Sequence, residues 1–245
     1  PANQAKKVPL ASIQAAHTGT DTAVIAQQGN SKVYTRPYIH PLRSPDGKNV
    51  LTQFSPGHHR HQTGLYWGQT RINGRDFFHN YRQDYWKHVE NRQSKDSMEF
   101  HSELLDGKDT PMLRDRQVWH YQAGKDHYIL DLEWTGTAIQ DVTIGKYAYG
   151  GLFLRMPWKR GTKAACLNSE GHRNQQGEGK SAKWVDLAMQ IEGMKGMAHI
   201  AMIDHPGNPG YPTLWRIDGQ FGVGPALARR GDIKIPRDKS LTYRY

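Results

Sequence analysis

Apolar and polar residues alternate with a period of two along much of this chain, and that alternation most constrains its fold. From Asp126, the segment DHYILDLEW sets Tyr128, Leu130, Leu132 and Trp134 against Ile129, Asp131 and Glu133. SMEFHSELL sets Met98, Phe100 and Leu104 against Glu99, His101 and Glu103. KWVDLAMQIEG sets Val185, Leu187, Met189 and Ile191 against Trp184, Asp186, Gln190 and Glu192. Such segments are strands with one face on a core and the other toward solvent or a groove, which antiparallel sheets permit and doubly covered parallel sheets do not.

Turn dipeptides punctuate the strands: Asp46-Gly47, Asn73-Gly74, Asp106-Gly107, Ala123-Gly124, Gly150-Gly151, Glu192-Gly193 and Asp218-Gly219. The runs between them predict roughly a dozen strands, the pattern of a sandwich or barrel. No capped segment holds a 3.6-residue period, so helices are expected to be few and short. Residues 170–180, polar and Gly-rich, read as an exposed loop. With 245 residues and 36% apolar side chains, the chain can bury a sizeable core. No linker or repeat divides it, which predicts one large antiparallel β-sandwich over residues 1–245.

Other classes fall away on composition. No run of about 18 apolar residues could span a membrane as a helix. The single cysteine, Cys166, excludes a disulfide framework within the chain and lies in an alanine-flanked strand with no nucleophile signature around it. The first residue is Pro1 rather than Met, so a removed leader and a periplasmic or secreted location are expected, a cytoplasmic one being the alternative. The charge of +10 favours a polyanionic partner or an acidic substrate, solvated surface charge being the plain alternative. No zinc-finger spacing, basic zipper or RNA-recognition motif accompanies the charge, so nucleic acid is not expected as the partner and an acidic carbohydrate is.

Three stretches gather chemistry. In residues 34–47, Arg36, Tyr38 and His40 share one face of a strand flanked by Pro37 and Pro41, which suggests an edge or irregular strand. In residues 55–68, His59 and His61 stand two apart, so an extended backbone would aim both imidazoles the same way, as acid/base groups, hydrogen-bonding groups or a pair of metal ligands. No third ligand follows at cupin-like spacing, so no cofactor is expected; a divalent metal on His59 and His61 is the alternative. In residues 202–217, Pro206, Pro209 and Pro212 stiffen a loop that carries Asp204, His205 and Asn208 before Trp215, a candidate apolar platform. No G-x-S-x-G elbow or P-loop occurs, and Gly222-Val223-Gly224 lacks the third glycine of a dinucleotide fingerprint.

These stretches, taken in order, resemble the bacterial domain family labelled "methane oxygenase PmoA". The residues that carry the resemblance are Arg36-Pro37-Tyr38-Ile39-His40-Pro41, Gly64-Leu65-Tyr66-Trp67, Asn73-Gly74-Arg75-Asp76-Phe77, Gly150-Gly151-Leu152-Phe153-Leu154-Arg155, Trp184-Val185-Asp186 and Asp204-His205-Pro206-Gly207-Asn208-Pro209 with Trp215. It covers roughly residues 30 to 245 and is weakest over 1–30. The histidine motif departs from the family's D-H-P-H-H-R-G-L, keeping His59 and His61 but carrying Gln62 and Thr63 where the family has histidine and arginine. The resemblance implies a soluble β-sandwich like those of galactose mutarotase and polysaccharide lyases, in a setting of bacterial carbohydrate utilisation. The particulate methane enzyme subunit behind the label is a membrane protein, so methane oxidation is not the expectation here.

The expected function is therefore a carbohydrate-active lyase or hydrolase acting on a glycoside, acidic or oxidised sugars included. His59, His61, Tyr38 and His205 are its candidate acid/base groups, and Arg36, His40, Arg155, Asp204, Asn208 and Trp215 its substrate contacts. A two-carboxylate glycosidase ranks lower, because no spacing selects a pair from Asp131, Glu133 and Asp204. A non-catalytic sugar-binding module and a metal-dependent β-sandwich enzyme are the competing readings. Arg36, His40, His59, His61, Arg155 and His205 are expected to meet in one concavity.

Overall fold

The computed structural model describes residues 13–16, 36–79 and 86–245. Among these, sixteen strands form four antiparallel sheets, and helix is limited to short 3-10 turns such as Asn174–Gly177. The expected all-β antiparallel sandwich is what forms.

The largest sheet orders β1 (Ile13–Ala16), β2 (Tyr38–Leu42), β3 (Leu65–Gly68), β9 (Gly151–Arg155), β14 (Gly222–Pro225) and β13 (Trp215–Ile217). A five-stranded sheet orders β16 (Ser240–Arg244), β7 (Tyr128–Ala138), β6 (Pro111–Ala123), β5 (Ser97–Leu105) and β4 (Trp86–Gln93). Their inner faces meet in one core: Trp67 of β3 stacks on Trp134 of β7 with ring centroids 4.4 Å apart and planes within 18°. A stacked aromatic pair contributes about 0.5–1.5 kcal/mol beyond its area burial. A three-stranded sheet of β10 (Ala164–Asn168), β11 (Trp184–Gln190) and β12 (Met197–Ile203) adds Cys166, Val185, Leu187, Met189 and Met202 to the same core. A short pair, β8 (Val142–Ile144) and β15 (Ile233–Ile235), completes the four.

The alternation read from sequence holds. Met98, Phe100 and Leu104 are buried between half-exposed Glu99, His101 and Glu103, and Val185, Leu187 and Met189 are buried on β11. The strand expected to be an edge or irregular is irregular, with a register shift in its pairing with β1, but it is not an edge. β2 lies between β1 and β3, and it tolerates Pro41 because pairing with β3 covers only Tyr38 and Ile39.

The six-stranded sheet also covers its second face, and that face positions the site. Leu65, Trp67, Leu152, Leu154, Trp215 and Ile217 point into the core. The residues between them, Tyr66, Phe153, Arg155 and Arg216, point the other way. Tyr38, Tyr66, Phe78 and Phe153 form a second apolar cluster there, with Phe54 and Tyr149 packed against it.

Candidate active site

Over this outer face lies a cavity of about 550 Å³, within the range of small-molecule sites. One wall is the histidine-rich loop before β3. It is not extended: the His59 N–H bonds the Pro56 carbonyl (2.9 Å) and the Gln62 N–H bonds the His59 carbonyl (2.9 Å), so two tight turns follow each other. The Ser55 hydroxyl ties the loop to the Arg60 carbonyl at 2.6 Å. The turns still bring His59 and His61 to the cavity, but edge to face, with ring centroids 5.6 Å apart. The loop re-enters the sheet at Gly64, where φ is +57° and a Cβ would lie 2.1 Å from the Ile39 carbonyl oxygen, so only glycine fits.

Burial, reinforced by neighbouring His79 and by Arg36, pushes the His61 imidazole down to about 2, and it stays neutral at physiological pH. Burial and the Arg155 guanidinium lower His58 and His59 in the same sense.

Opposite stands a relay of three side chains. Asp76 closes a turn by accepting the Phe78 and His79 N–H groups at 3.0 and 2.9 Å, and its second oxygen meets His79 Nδ1 at 2.5 Å. Burial raises the Asp76 carboxyl, but the bonds from His79 and the two amides outweigh it and leave the group below its ordinary value, hence ionised. A carboxylate only accepts, so Nδ1 carries the proton, and in the neutral imidazole Nε2 is left as acceptor. That nitrogen lies 3.1 Å from the Tyr149 hydroxyl, which therefore donates to it. Burial holds the Tyr149 phenol well above its ordinary value. His61 sits beside the relay, its ring 4.5 Å from that of His79.

The floor is built around Arg155. Its guanidinium is fully buried and donates to Gln62 Oε1 (2.6 Å), the Gln220 carbonyl (2.7 Å) and Asp218 Oδ2 (2.8 Å). Gln62 and Asp218 face the cavity in front of it. Burial opposes the Asp218 charge, but Arg155 and the Gly222 and Gln220 amides outweigh that and hold its carboxyl below the ordinary range. Glycine at 222 makes this possible, since a Cβ there would lie 2.4 Å from both Arg155 Nη2 and Asp218 Oδ2. Gln62, which departs from the family histidine motif, is thus the partner of Arg155. Arg216, on the outer face of β13, completes the wall with its guanidinium 5.5 Å from the Tyr149 ring centre.

The structure brings together only part of the expected set. His59 and His61 line the cavity, and Arg155 lies behind its floor. Arg36 is buried against the Tyr66 ring, 3.6 Å from its centre, and donates to the Phe78 carbonyl; it supports Phe78 rather than facing the cavity. Tyr38 is buried in the second apolar cluster. His40 bonds Thr52 Oγ1 at 2.9 Å, and burial pushes its imidazole down to about 4.

The loop after β12 lies elsewhere. Asp204 accepts the Asn208 amide and the Thr213 N–H, both at 2.8 Å, while Asn208 exchanges bonds of 2.6 and 2.7 Å with the Arg244 backbone, locking the loop to β16. His205 is exposed, and Trp215 is buried in the core with its indole N–H on the Ala182 carbonyl. Asp131 and Glu133 belong to the other large sheet, where Glu133 pairs with Arg116 and Arg244. Residues 170–180 are only partly an exposed loop, because Glu178 turns inward to bind Arg216 and Arg229.

As a metal site the arrangement offers little. Among the described residues no three or more His, Cys, Asp or Glu side chains are grouped to hold an ion. His79, nearest to His61, has both ring nitrogens engaged.

Sequence reasoning missed Asp76, His79, Tyr149, Arg216 and Asp218. Asp76 stood within the Asn73–Phe77 stretch, Tyr149 directly before the Gly150-Gly151 turn, and Asp218 within a turn dipeptide. No curated protein and no solved structure shows a significant match. A family match spans residues 14–245, nearly the whole chain including every residue of the cavity, and the chain belongs to that family, DUF6807, a family of unknown function.

Proposed function

We propose that this protein is a carbohydrate-active enzyme, a lyase or hydrolase, in which Tyr149 moves the proton, and that elimination is the reaction its cavity suits best. The observation that carries the reading is the Asp76–His79–Tyr149 relay opening on the cavity. A buried phenol does not ionise alone, but it can pass its proton to His79 Nε2, because the Asp76 carboxylate stabilises the imidazolium and the relay as a whole gains no charge. The phenolate then takes the proton from carbon next to a carboxyl or carbonyl group. The C–H electron pair becomes the C=C bond as the C–O bond breaks, and the leaving oxygen takes that same proton back from Tyr149. His79 keeps its proton, and the phenolate is restored.

Two features support elimination over hydrolysis by a pair of carboxylates. Asp218, the one carboxylate lining the cavity among the described residues, is tied to Arg155. Asp131, Glu133 and Asp204 lie away from the cavity, so among the described residues no second carboxylate faces it across a sugar. The resemblance to the PmoA-labelled domains points to the same carbohydrate setting. Phe78, Tyr149 and Phe153 give the cavity apolar ring faces suited to a sugar.

Tyr149→Phe removes the hydroxyl and leaves the ring. Assayed by unsaturated-product formation on a panel of uronate-containing oligosaccharides, it is expected to lose about 10²–10⁴-fold in turnover while still binding ligand. His79→Gln should fall with it. Turnover undiminished in Tyr149→Phe would overturn the mechanism, and binding without turnover in the wild type would make the domain a sugar-binding module.

A further inference from the structure

We propose that Arg216 recognises a carboxylate on the ligand, so that the cavity takes a sugar acid rather than a neutral sugar. This rests on the reading of the cavity as a carbohydrate site, and it adds the group that the site selects.

Arg216 reaches the cavity from β13, where Gly224 stands opposite it in register and presents no side chain. Its side chain is 31% exposed, so solvent or ligand can reach it. Glu178 orients it by accepting Nη1 at 3.0 Å, the one hydrogen bond that this guanidinium makes among the described residues. Glu178 is also oversubscribed: the same oxygen accepts Arg229 Nη1 at 2.7 Å, and its other oxygen accepts the Ile217 N–H at 2.6 Å. One carboxylate shared by two guanidiniums leaves a positive charge at this corner.

The surroundings do not cancel that charge. Around the cavity, among the described residues, stand the guanidiniums of Arg36, Arg60, Arg155, Arg216 and Arg229, against the carboxylates of Asp76, Asp218 and Glu178. Asp218 is paired with Arg155, and Asp76, though bonded to His79, keeps its charge; five guanidiniums still stand against three carboxylates. The imidazoles facing the cavity from the histidine loop are neutral, so the fixed positive charge within reach of a ligand is guanidinium. A planar guanidinium with free N–H groups matches a carboxylate in two-pronged geometry.

Position adds a consequence. Arg216 lies over the Tyr149 ring, so a carboxylate held there places its neighbouring carbon beside the group proposed to carry the proton. The same guanidinium would withdraw charge from that carboxylate as the carbon loses its proton.

The test compares glucuronate with its methyl ester, which removes the charge and alters little else, by NMR titration of the full chain. The wild type is expected to bind the acid at least about tenfold more tightly, consistent with a charge-assisted pair. In Arg216→Gln that preference should shrink to within about twofold while affinity for the ester is kept. An ester that binds the wild type as well as the acid overturns the proposal, as does a preference that survives in Arg216→Gln. Should that variant fail to fold, the two ligands on the wild type decide alone. Tyr149→Phe separates this proposal from the proton relay: it should keep the preference for the acid whether or not turnover depends on the phenol.

Discussion

Arg155 brings a full charge into a wall that water does not reach, and the cost of doing so is met by one counter-ion and two neutral acceptors. Removing the counter-ion alone should be expensive, because the guanidinium cannot shed its proton and keeps its burial. Asp218→Asn preserves shape, yet its amide group must either face Arg155 Nη2 as a second donor or give up the Gln220 and Gly222 N–H bonds. The expected loss is about 3–5 kcal/mol in urea unfolding at pH 7. Adding Arg155→Met to the same chain should recover a good part of it, since no lone charge is left buried. A single variant within about 1 kcal/mol of the wild type would show that the pair is not a stabilising unit.

At the scale of the element, the second face of the six-stranded sheet depends on strand β14 presenting no side chains toward it. A Cβ at Gly224 would lie 2.1 Å from the Leu152 carbonyl oxygen, and backbone cannot give way as a side-chain tip can. Gly224→Ala should therefore cost about 1–3 kcal/mol by overpacking and weaken ligand binding through a displaced Phe153. Gly219→Ala, with nothing within 4 Å, should stay within about 0.5 kcal/mol of the wild type in the same denaturation experiment.

That sheet also shows what the sequence made legible. Alternation announced which residues of β5, β7 and β11 face the core, because a period of two is written directly in residue type. It did not announce the chemistry of a face that is covered as well. All five residues of β9 are buried, so its two faces look alike in hydrophobicity. Trp215 attracted attention as an aromatic platform, whereas parity sends it into the core and turns its neighbour Arg216 to the cavity. His59 and His61 were found for a reason that does not hold, since turns rather than an extended strand bring them together. The Asp76–His79–Tyr149 relay joins chain positions 70 residues apart through side chains, and no local spacing encodes it.

For the whole molecule, opposing titrations set how stability responds to acid. Burial lowers the imidazoles of His40 and His61 to about 4 and 2, and lowers His58 and His59 in the same direction. Their contribution is complete above the unfolded value of about 6.5, and it is lost as pH falls because the unfolded chain takes up protons that the folded one refuses. Asp115 works the other way. Buried between the Trp134 indole and the Gln117 amide, its carboxyl is pushed up to about 6, so the folded chain binds its proton first and gains stability as pH falls from about 6 toward 4. Four imidazoles against the carboxyls of Asp115 and Asp204, which burial also raises, give a molecule that weakens between pH 6.5 and 4, less steeply than it would without those two carboxyls. Asp115→Asn, with Gln117 turning its amide to accept from the new one, removes Asp115's share of the counterweight. The variant should exceed the wild type by up to about 3 kcal/mol at pH 8, where the buried carboxylate is charged, and the gain should vanish as pH approaches 4. Urea unfolding of both proteins across that range reads the difference directly. Parallel curves would mean that Asp115 carries no proton in the folded chain that it lacks in the unfolded one, and the acid response would then belong to the imidazoles and the remaining carboxyls.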